Sequence, residues 1–170
     1  MQTVFESANI RFVKLTEELV DDYLAMVNDI EHVARFIGER RTPYTMEEEL
    51  EFIGDQKKSN PHTYSMIEKA TGEFIGNAGF MNIKDGEAEF GIVITYAKQN
   101  SGFGKEAIKS LLDHCWNDLH VDRVYLEVYI DNSRAIRLYE KCGFTEYKRT
   151  DTDIFMDILS PAKEIGRAHV

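Results

Sequence analysis

A short glycine-rich stretch is the strongest candidate in this sequence for binding an anion. Between an apolar run, 90 to 96, and a long amphipathic pattern stand Gln99, Asn100, Ser101, Gly102, Phe103, Gly104 and Lys105. The first turn of a helix has backbone N–H groups without partners and carries the positive end of the helix dipole, so it attracts negative charge. Because Gly102 and Gly104 lack a Cβ, a phosphate can approach these amides, with Lys105 as a nearby charge. The alternative is a tight turn without a ligand, since short glycine patterns are common.

A second segment combines a helix start, a tyrosine and a helix end. Asn132 precedes a helical pattern in which Ala135 and Tyr139 share one apolar face, and Gly143 follows it. Asparagine is a favoured N-cap residue, and glycine readily takes the left-handed conformation at the C-terminal end of a helix. We therefore expect a short helix between Asn132 and Gly143, with Asn132 acting first as its cap.

Together the two segments resemble the GNAT superfamily of N-acyltransferases. Gln-x-x-Gly-x-Gly after a strand is similar to the acyl-CoA pyrophosphate loop of that family. Residues 132 to 144 match its Asn-x-x-Ala-x-x-x-Tyr-x-x-x-Gly-Phe segment in order and spacing. The resemblance is specific from about Ala88 to Phe144, looser back to Ile10, and nearest to the RimJ/RimL-like and polyamine-acetylating branches. It implies an α/β fold of the GNAT type: a mixed, mostly antiparallel sheet flanked by helices, with a parallel strand pair at the cofactor cleft.

The resemblance also implies a set of cofactor-binding residues. These are Ile92, Val93, Ile94, Gln99, Asn100, Ser101, Gly102, Phe103, Gly104, Lys105 and Asn132. In the family, the strand before the loop splays from its parallel neighbour, so that the pantetheine pairs with backbone at positions 92 to 94. Ordinary core positions remain a compatible reading for Ile92 and Ile94, because backbone contacts place no demand on side chains.

Acyl transfer from a thioester to an amine also needs an acid and a base. Tyr139 occupies the family's tyrosine position, and a phenol with a pKa near 10 can protonate a leaving thiolate without ever being ionised; the alternative is a half-buried core tyrosine. Glu89 lies within one position of a strand glutamate that serves some family members as a base through water. Since a slip of one residue turns a strand side chain to the other face unless a bulge restores it, the alternative for Glu89 is a charged strand-edge residue. Glu127 and Tyr129 are weaker candidates on another strand.

Composition limits the function classes. The chain has 170 residues, of which 43% are hydrophobic, so one domain with a proper core is expected. A net charge of -10 disfavours nucleic acid and anionic membrane surfaces as partners and favours a cationic substrate. Cys115 and Cys142 lack metal-type spacing, no other cluster suggests a metal, and a reducing cytoplasm is the simple inference. No apolar run approaches the ~20 residues of a transmembrane helix.

The end of the chain is predicted to lie outside the domain. Residues 164 to 170 lack periodicity, and their letters match the translation of a common sequencing-library adapter in one frame. We therefore expect a single N-acyltransferase domain over residues 1–163 and a non-native tail over 164–170.

Hydrophobic periodicity predicts the elements that position these residues. We expect a first strand at 10–15 and, after it, a helix capped by Thr16. A short helix at 30–37 and a loop at 38–43 should follow. A third helix is predicted to begin at the capping box Thr45-x-x-Glu48. Met46, Leu50 and Ile53 are predicted to form the buried stripe of that third helix. Its acidic run, 47 to 51, is either a solvated helix start or the lining of an entrance for cationic acceptors.

The second half of the pattern predicts the sheet. Strands at 63–68, 73–83 and 87–96 are expected to form an antiparallel meander. The long helix then connects the strand at 87–96 to a strand at 123–130, which should be parallel to it. After the helix that begins at Asn132, two strands at 144–149 and 152–158 are expected to complete the sheet.

The expected function is an N-acetyltransferase that passes an acetyl group from acetyl-CoA, as co-substrate and without a metal, to a primary amine in a ternary complex. The expected acceptor is a protein N-terminus, a polyamine or a small amine, and a homodimer is the assembly considered. The rival is a non-catalytic acyl-CoA-binding or sensing module, which would lack turnover.

Overall fold

The structure is a computed structural model that describes residues 1–38, 40 and 42–168. Its strands are β1 (Thr3–Glu6), β2 (Ile10–Lys14), β3 (Thr63–Glu68), β4 (Phe74–Lys84), β5 (Glu87–Ile94), β6 (Arg123–Tyr129), β7 (Thr145–Arg149) and β8 (Asp153–Leu159). Its helices are α1 (Val20–Val27), α2 (Met46–Ser59), α3 (Phe103–Asp118), α4 (Ser133–Lys141) and α5 (Pro161–Ala168).

The strands form one mixed sheet in the order β1-β2-β3-β4-β5-β6-β8-β7. Strands β5 and β6 are parallel, because α3 carries the chain back between them, and their ladder has three pairs: Glu87 with Arg123, Ala88 with Val124 and Glu89 with Tyr125. The flanking pairs β2–β3, β3–β4, β6–β8 and β7–β8 are antiparallel. The predicted fold class, a mostly antiparallel sheet with one parallel pair and flanking helices, is confirmed.

Backbone contacts divide the chain into two compact units, which are described separately. Unit 1 comprises residues 1–79 and 92–107, and unit 2 comprises residues 80–91 and those from 108 onward. Strands β4 and β5 contribute to both. The core of unit 1 is a cluster of apolar side chains from β2, α1, α2, β3 and β4: Val13, Leu15, Leu19, Tyr23, Met26, Val33, Ile53, Ile67 and Phe74.

The predicted face of α3 is buried, as the helical spacing requires. Its buried members are Ala107, Ile108, Leu111, Leu112 and Cys115. In unit 2, every second side chain of β6, Val124, Leu126 and Val128, is buried, as the alternation of a strand requires. Ile130, the last residue of the predicted strand at 123–130, lies beyond the end of β6 and is 38% exposed.

Near the N-terminus, the predicted strand at 10–15 is present but is not the first strand, and the predicted helix at 30–37 is wrong. The strand at 10–14 is the second, because β1 precedes it as an edge strand whose mostly exposed side chains give no burial pattern. The expected helix at 30–37 is a turn with a single 3-10 turn, Ala34–Phe36. The N–H groups of Val33 and Ala34 both donate to the Asp29 carbonyl, so the regular helical hydrogen bonding is interrupted. Of the predicted loop at 38–43, Glu39 and Arg41 lie outside the described residues.

Helix α2 begins at the predicted capping box, but the face that it buries differs from the predicted one. The Thr45 hydroxyl accepts from the Glu48 N–H at 3.2 Å and the Thr45 N–H donates to the Glu48 carboxylate at 3.1 Å, which completes the capping box. Met46 and Leu50, expected inside, are each 40% exposed. The inward line instead runs through Glu49 and Ile53, a turn of about 100° around the helix axis from Leu50. The helix therefore buries a carboxylate.

The end of the chain contains a helix that was not predicted, because residues 164 to 170 show no hydrophobic periodicity. Helix α5 crosses residue 163, with the Ser160 hydroxyl accepting from the Lys163 N–H at 3.2 Å, and the side chains of residues 161–166 are exposed. The boundary at 163 and the tail at 164–170 stay predictions, and His169 and Val170 lie outside the described residues. Within the described part of the chain, no helix has both the length and the apolarity to cross a membrane.

Gly76 allows β4 and β5 to approach closely in unit 1. A Cβ at this position would lie 2.0 Å from the Val93 carbonyl oxygen, which is a backbone atom and cannot move aside cheaply. We expect Gly76→Ala to destabilise the fold by about 3 kcal/mol or more and to displace position 93. Urea unfolding followed by circular dichroism measures the loss.

Gly54 supplies the matched control, because it lies inside α2 and a Cβ there meets nothing within 4 Å. Gly54→Ala is expected to stabilise the fold by about 0.5 to 1 kcal/mol through helix propensity. Equal effects of the two substitutions would show that β4 and β5 can separate at Gly76 without loss.

Candidate active site

The glycine-rich stretch forms a turn with two left-handed residues before α3. After β5, a 3-10 turn at Tyr96–Lys98 leads to Asn100 with φ 58° and Gly102 with φ 86°. The Gly102 carbonyl accepts from the Glu106 N–H at 3.2 Å, the first backbone hydrogen bond of α3. This leaves the amides of Phe103, Gly104 and Lys105 in the first turn, where an anion is favoured. The predicted strand-turn-helix arrangement is therefore present.

Side-chain hydrogen bonds within unit 1 fix the turn to the end of β5. The Gln99 side-chain amide donates to the Ile94 carbonyl at 2.9 Å, and the Ser101 hydroxyl donates to the Gln99 carbonyl at 3.2 Å. The Gln99 side chain therefore connects the turn to the last residue of β5. Lys98, in the 3-10 turn before it, forms two ion pairs: its ammonium lies 2.7 Å from a carboxylate oxygen of Glu68 and 2.9 Å from one of Glu73.

The first turn of α3 also carries an acidic side chain whose charge is held by hydrogen bonds. The Glu106 carboxylate accepts from the Ser7 hydroxyl at 2.5 Å, the Asn9 N–H at 2.8 Å and the Asn9 side-chain amide at 2.8 Å. Burial acts to raise the pKa of Glu106, but the hydrogen bonds from Asn9 and Ser7 outweigh it and keep that pKa below its ordinary value. The β1–β2 connection is thereby fastened to the helix start. Sequence reasoning missed this contact because its partners are far apart in the chain.

The end of β5 is only half-buried, unlike the residues before it. Ile92, Val93 and Ile94 are half-buried, whereas Ala88 and Phe90 in the same strand are buried. Val93 packs against the core cluster of unit 1, and an ordinary apolar role for Ile92 and Ile94 stays compatible with the predicted backbone contacts. Unit 1 brings these three residues and the turn together.

Unit 2 contains the predicted acid on α4. The Asn132 side chain accepts from the Ala135 N–H at 3.4 Å and caps α4, and Gly143 follows the helix with φ 102°, as predicted. Tyr139 is buried and its ring packs edge-on against Phe144 at 5.8 Å. Burial raises the pKa of Tyr139 to about 12, so its hydroxyl keeps its proton at any ordinary pH. Among the described residues, no hydrogen bond reaches this hydroxyl, and both interpretations of Tyr139, the acid and the core tyrosine, stay predictions.

Glu89, the predicted base, is also in unit 2, on the strand face opposite the buried Ala88 and Phe90. Its carboxylate accepts from the Asn82 side-chain amide at 2.9 Å. In the parallel ladder it lies beside Tyr125, whose pKa is raised by burial and by the charges of Glu89 and Glu87. The three pairs of the β5–β6 ladder show no register shift up to Glu89, which is the last of them.

Metal ligation and cysteine chemistry have little support in the described residues. No group of three His, Cys, Asp or Glu side chains there could hold a metal ion. Burial raises the pKa of Cys115 to about 12, which makes its thiol a poor nucleophile.

Comparison with known proteins identifies the family. A family model described as an acetyltransferase (GNAT) domain matches residues 9–145, which is more than half of the chain. The chain belongs to the GNAT acetyltransferase family. This GNAT acetyltransferase is 30% identical over 118 residues to the spermidine N(1)-acetyltransferase of Vibrio cholerae serotype O1, a match that covers 68% of each chain.

Solved structures agree with the fold of this GNAT acetyltransferase. An acetyltransferase of the GNAT family from Bacillus anthracis superposes with a TM-score of 0.80 at 18% identity, covering 94% of this chain and 98% of that one. The spermidine N-acetyltransferase from Vibrio cholerae, solved in complex with CoA and spermine, superposes with a TM-score of 0.74 at 24% identity, covering 90% and 96%. The predicted resemblance to the family and its polyamine-acetylating members is confirmed.

Proposed function

We propose that this GNAT acetyltransferase passes the acetyl group of acetyl-CoA directly to a primary amine, with both substrates bound together. The observation that carries the proposal is the turn before α3, where left-handed Asn100 and Gly102 precede the first turn of the helix, whose amides favour an anion. The proposed cofactor contacts are this turn, with Lys105 as a point charge, the backbone of Ile92 to Ile94, and Asn132.

In the proposed reaction the amine nitrogen attacks the thioester carbon, the carbon–sulfur bond breaks, and the thiolate leaves as CoA. Tyr139 supplies the proton to the departing sulfur, which its raised pKa permits because the phenol stays protonated. Its hydroxyl has no hydrogen-bond partner in the described part of the chain, which supports a role toward a ligand. The proton released by the amine passes through water, with Glu89 as the proposed base.

The proposed acceptor is a cationic amine. The net charge of -10 favours cations, and the similarity to a protein named as a spermidine N(1)-acetyltransferase supports the polyamine class among the predicted acceptors. A cytoplasmic location and a homodimer stay predictions. Steady-state thiol release from acetyl-CoA over protein N-terminal peptides, polyamines and small amines tests the function, and CoA binding without turnover on any of them would favour the sensing module instead.

Glu89→Gln tests the base. The amide keeps the shape and can still accept from Asn82, but it loses basicity, so we expect the pH dependence of turnover to shift while the fold is kept. A pH–rate profile of each enzyme measures the shift, with Glu140→Gln, at an exposed residue of α4, as the control. A parental profile in Glu89→Gln would mean that water alone accepts the proton.

A further inference from the structure

A chain of hydrogen bonds in unit 1 ends at the Asn77 side chain on β4, and the mechanism proposed above does not use it. The Thr16 N–H donates to the Tyr23 hydroxyl at 3.3 Å, and the Tyr23 hydroxyl is hydrogen-bonded to the Ser65 hydroxyl. The Ser65 hydroxyl donates to the side-chain oxygen of Asn77 at 2.7 Å. Tyr23 and Ser65 are both buried, so the chain holds the Asn77 amide from inside the unit.

The direction of each hydrogen bond in this chain follows from its first donor. A backbone N–H can only donate, so the Tyr23 hydroxyl accepts from Thr16 and has its own proton to give to Ser65. Burial raises the pKa of Tyr23, which keeps that proton on the oxygen. Ser65 in turn donates to Asn77. Among the described residues, the reverse orientation of the Asn77 amide would leave the Tyr23 proton without an acceptor. The carbonyl oxygen of Asn77 therefore faces Ser65, and its NH2 group faces away.

The NH2 group of Asn77 is a donor that the fold does not use. Within the described part of the chain, its nitrogen forms no hydrogen bond. Asn77 is half-buried, and no buried side-chain nitrogen or oxygen of the described residues lacks a partner, so this nitrogen is accessible to a ligand. An amide NH2 group offers two protons and accepts none. Its ligand is therefore an oxygen atom and not an ammonium group.

Asn77 lies beside the part of β5 that the proposed function assigns to the pantetheine. A two-residue connection joins β4 to β5, so the strands are antiparallel. The Thr95 N–H donates to the Ile75 carbonyl at 2.9 Å, and from this pair the antiparallel register brings position 77 opposite position 93. The close approach at Gly76 agrees with this register, because a Cβ there would lie 2.0 Å from the Val93 carbonyl oxygen.

Asn77 and Val93 also share one face of the sheet. Val93 packs against the core cluster of unit 1, and that cluster contains Tyr23, from which the hydrogen bonds lead to Asn77. Of the two substrates in the proposed reaction, only one carries oxygen atoms that suit this donor. A protonated polyamine presents N–H and C–H groups, whereas the acyl-pantetheine arm of acyl-CoA has a thioester oxygen and amide carbonyl oxygens.

We propose that Asn77 binds acyl-CoA by donating from its side-chain NH2 group to a carbonyl oxygen of the acyl-pantetheine arm, with Ser65 and Tyr23 holding the amide in that orientation. The inference rests on the proposed function, since acyl-CoA is the ligand. It adds a side chain of β4 to the proposed cofactor contacts, which otherwise come from β5, the turn before α3 and Asn132.

Asn77→Asp tests the contact, because the carboxylate keeps the shape and still accepts from Ser65 but has no proton to donate. Calorimetric titration of the full chain with acetyl-CoA, without an amine, measures the effect. We expect the acetyl-CoA affinity to fall about five-fold or more. A parallel titration with CoA, which lacks the thioester, locates the oxygen: an equal loss for both ligands places the contact on a pantetheine carbonyl, and a loss for acetyl-CoA alone places it on the thioester oxygen.

Gln56→Glu is the matched control for the added negative charge. Gln56 is a half-buried amide on α2 in the same unit, and its side-chain oxygen accepts from the Asn60 side-chain amide at 2.9 Å, as a carboxylate also can. Its acetyl-CoA affinity should stay within about two-fold of the parent. A folded Asn77→Asp variant that binds acetyl-CoA no more weakly than Gln56→Glu does would overturn the proposal.

If Asn77→Asp does not fold by circular dichroism, Asn77→Ala and Ser65→Ala decide. Both break the Ser65–Asn77 hydrogen bond, but only Asn77→Ala removes the donor, so its acetyl-CoA affinity must be about three-fold or more below that of Ser65→Ala. Equal affinities would reject the contact. Because no amine is present, failure of acetyl transfer would leave these results intact, and a parent protein that binds neither ligand would count against the proposed function itself.

Discussion

Tyr139→Phe is expected to lower kcat by roughly 10²-fold or more while the protein stays folded and binds CoA with near-parental affinity. The substitution removes one hydroxyl and keeps the ring that packs against Phe144 at 5.8 Å. Since no hydrogen bond to the hydroxyl exists in the described part of the chain, its loss should change the free energy of unfolding little. Steady-state thiol release, CoA titration and a melting curve measure the three quantities.

The pH dependence gives a second check on Tyr139. With its pKa raised to about 12 by burial, the phenol does not titrate below that range, so the parent pH–rate profile should show no inflection from it at ordinary pH.

Tyr147→Phe is the matched control for the substitution of Tyr139, because Tyr147 lies in the same unit and is 48% exposed. A folded Tyr139→Phe variant with kcat within about two-fold of the parent would reject the acid role and leave solvent as the proton source.

Gly102→Val is expected to reduce CoA affinity by about 10-fold or more without unfolding the protein. The φ of Gly102 is +86°, which strains a residue with a Cβ by roughly 1 to 2 kcal/mol, and more when the side chain is β-branched. A Cβ at Gly102 meets nothing within 4 Å of the chain, so the added methyl groups would occupy open space where the pyrophosphate is proposed to sit. Calorimetric titration with CoA beside a melting curve separates binding from stability.

Gly72 provides a matched control for the strain. It has φ +75° and open space for a Cβ, but it lies in the turn between β3 and β4. Gly72→Val should lower stability by a similar amount and leave CoA affinity unchanged. If folded Gly102→Val binds CoA like the parent, the pyrophosphate does not lie on this turn.

Local sequence signals predicted the parts of the fold that depend on neighbouring residues. The capping box of α2, the Asn132 cap of α4 and the turn at Gly102 each involve contacts within a few positions, so the sequence pattern alone specifies them. The parallel pair β5–β6 was also predictable, because a crossover helix between two strands in one sheet favours that direction.

Features decided by tertiary contacts were not predictable. The rotation of α2, which buries Glu49 and exposes Leu50, depends on how the helix packs, and hydrophobicity alone favoured Leu50 inside. The edge strand β1 has too little burial to leave an alternating pattern. Gln99 was predicted at the cofactor, but its hydrogen bond to Ile94 is visible only in three dimensions.

The hydrogen bonds on Glu106 have a consequence for the order of folding. The Ser7 contact joins residues 99 positions apart and the Asn9 contacts join residues 97 apart, so each closes a long loop of chain. Loop-closure entropy opposes such contacts until other structure has brought their ends together. The turn before α3, where the pyrophosphate is proposed to bind, is therefore expected to reach its final shape only after the β1–β2 connection has met the start of α3. If the proposal holds, the ability to bind the nucleotide arises late in folding and is not a property of the local segment alone.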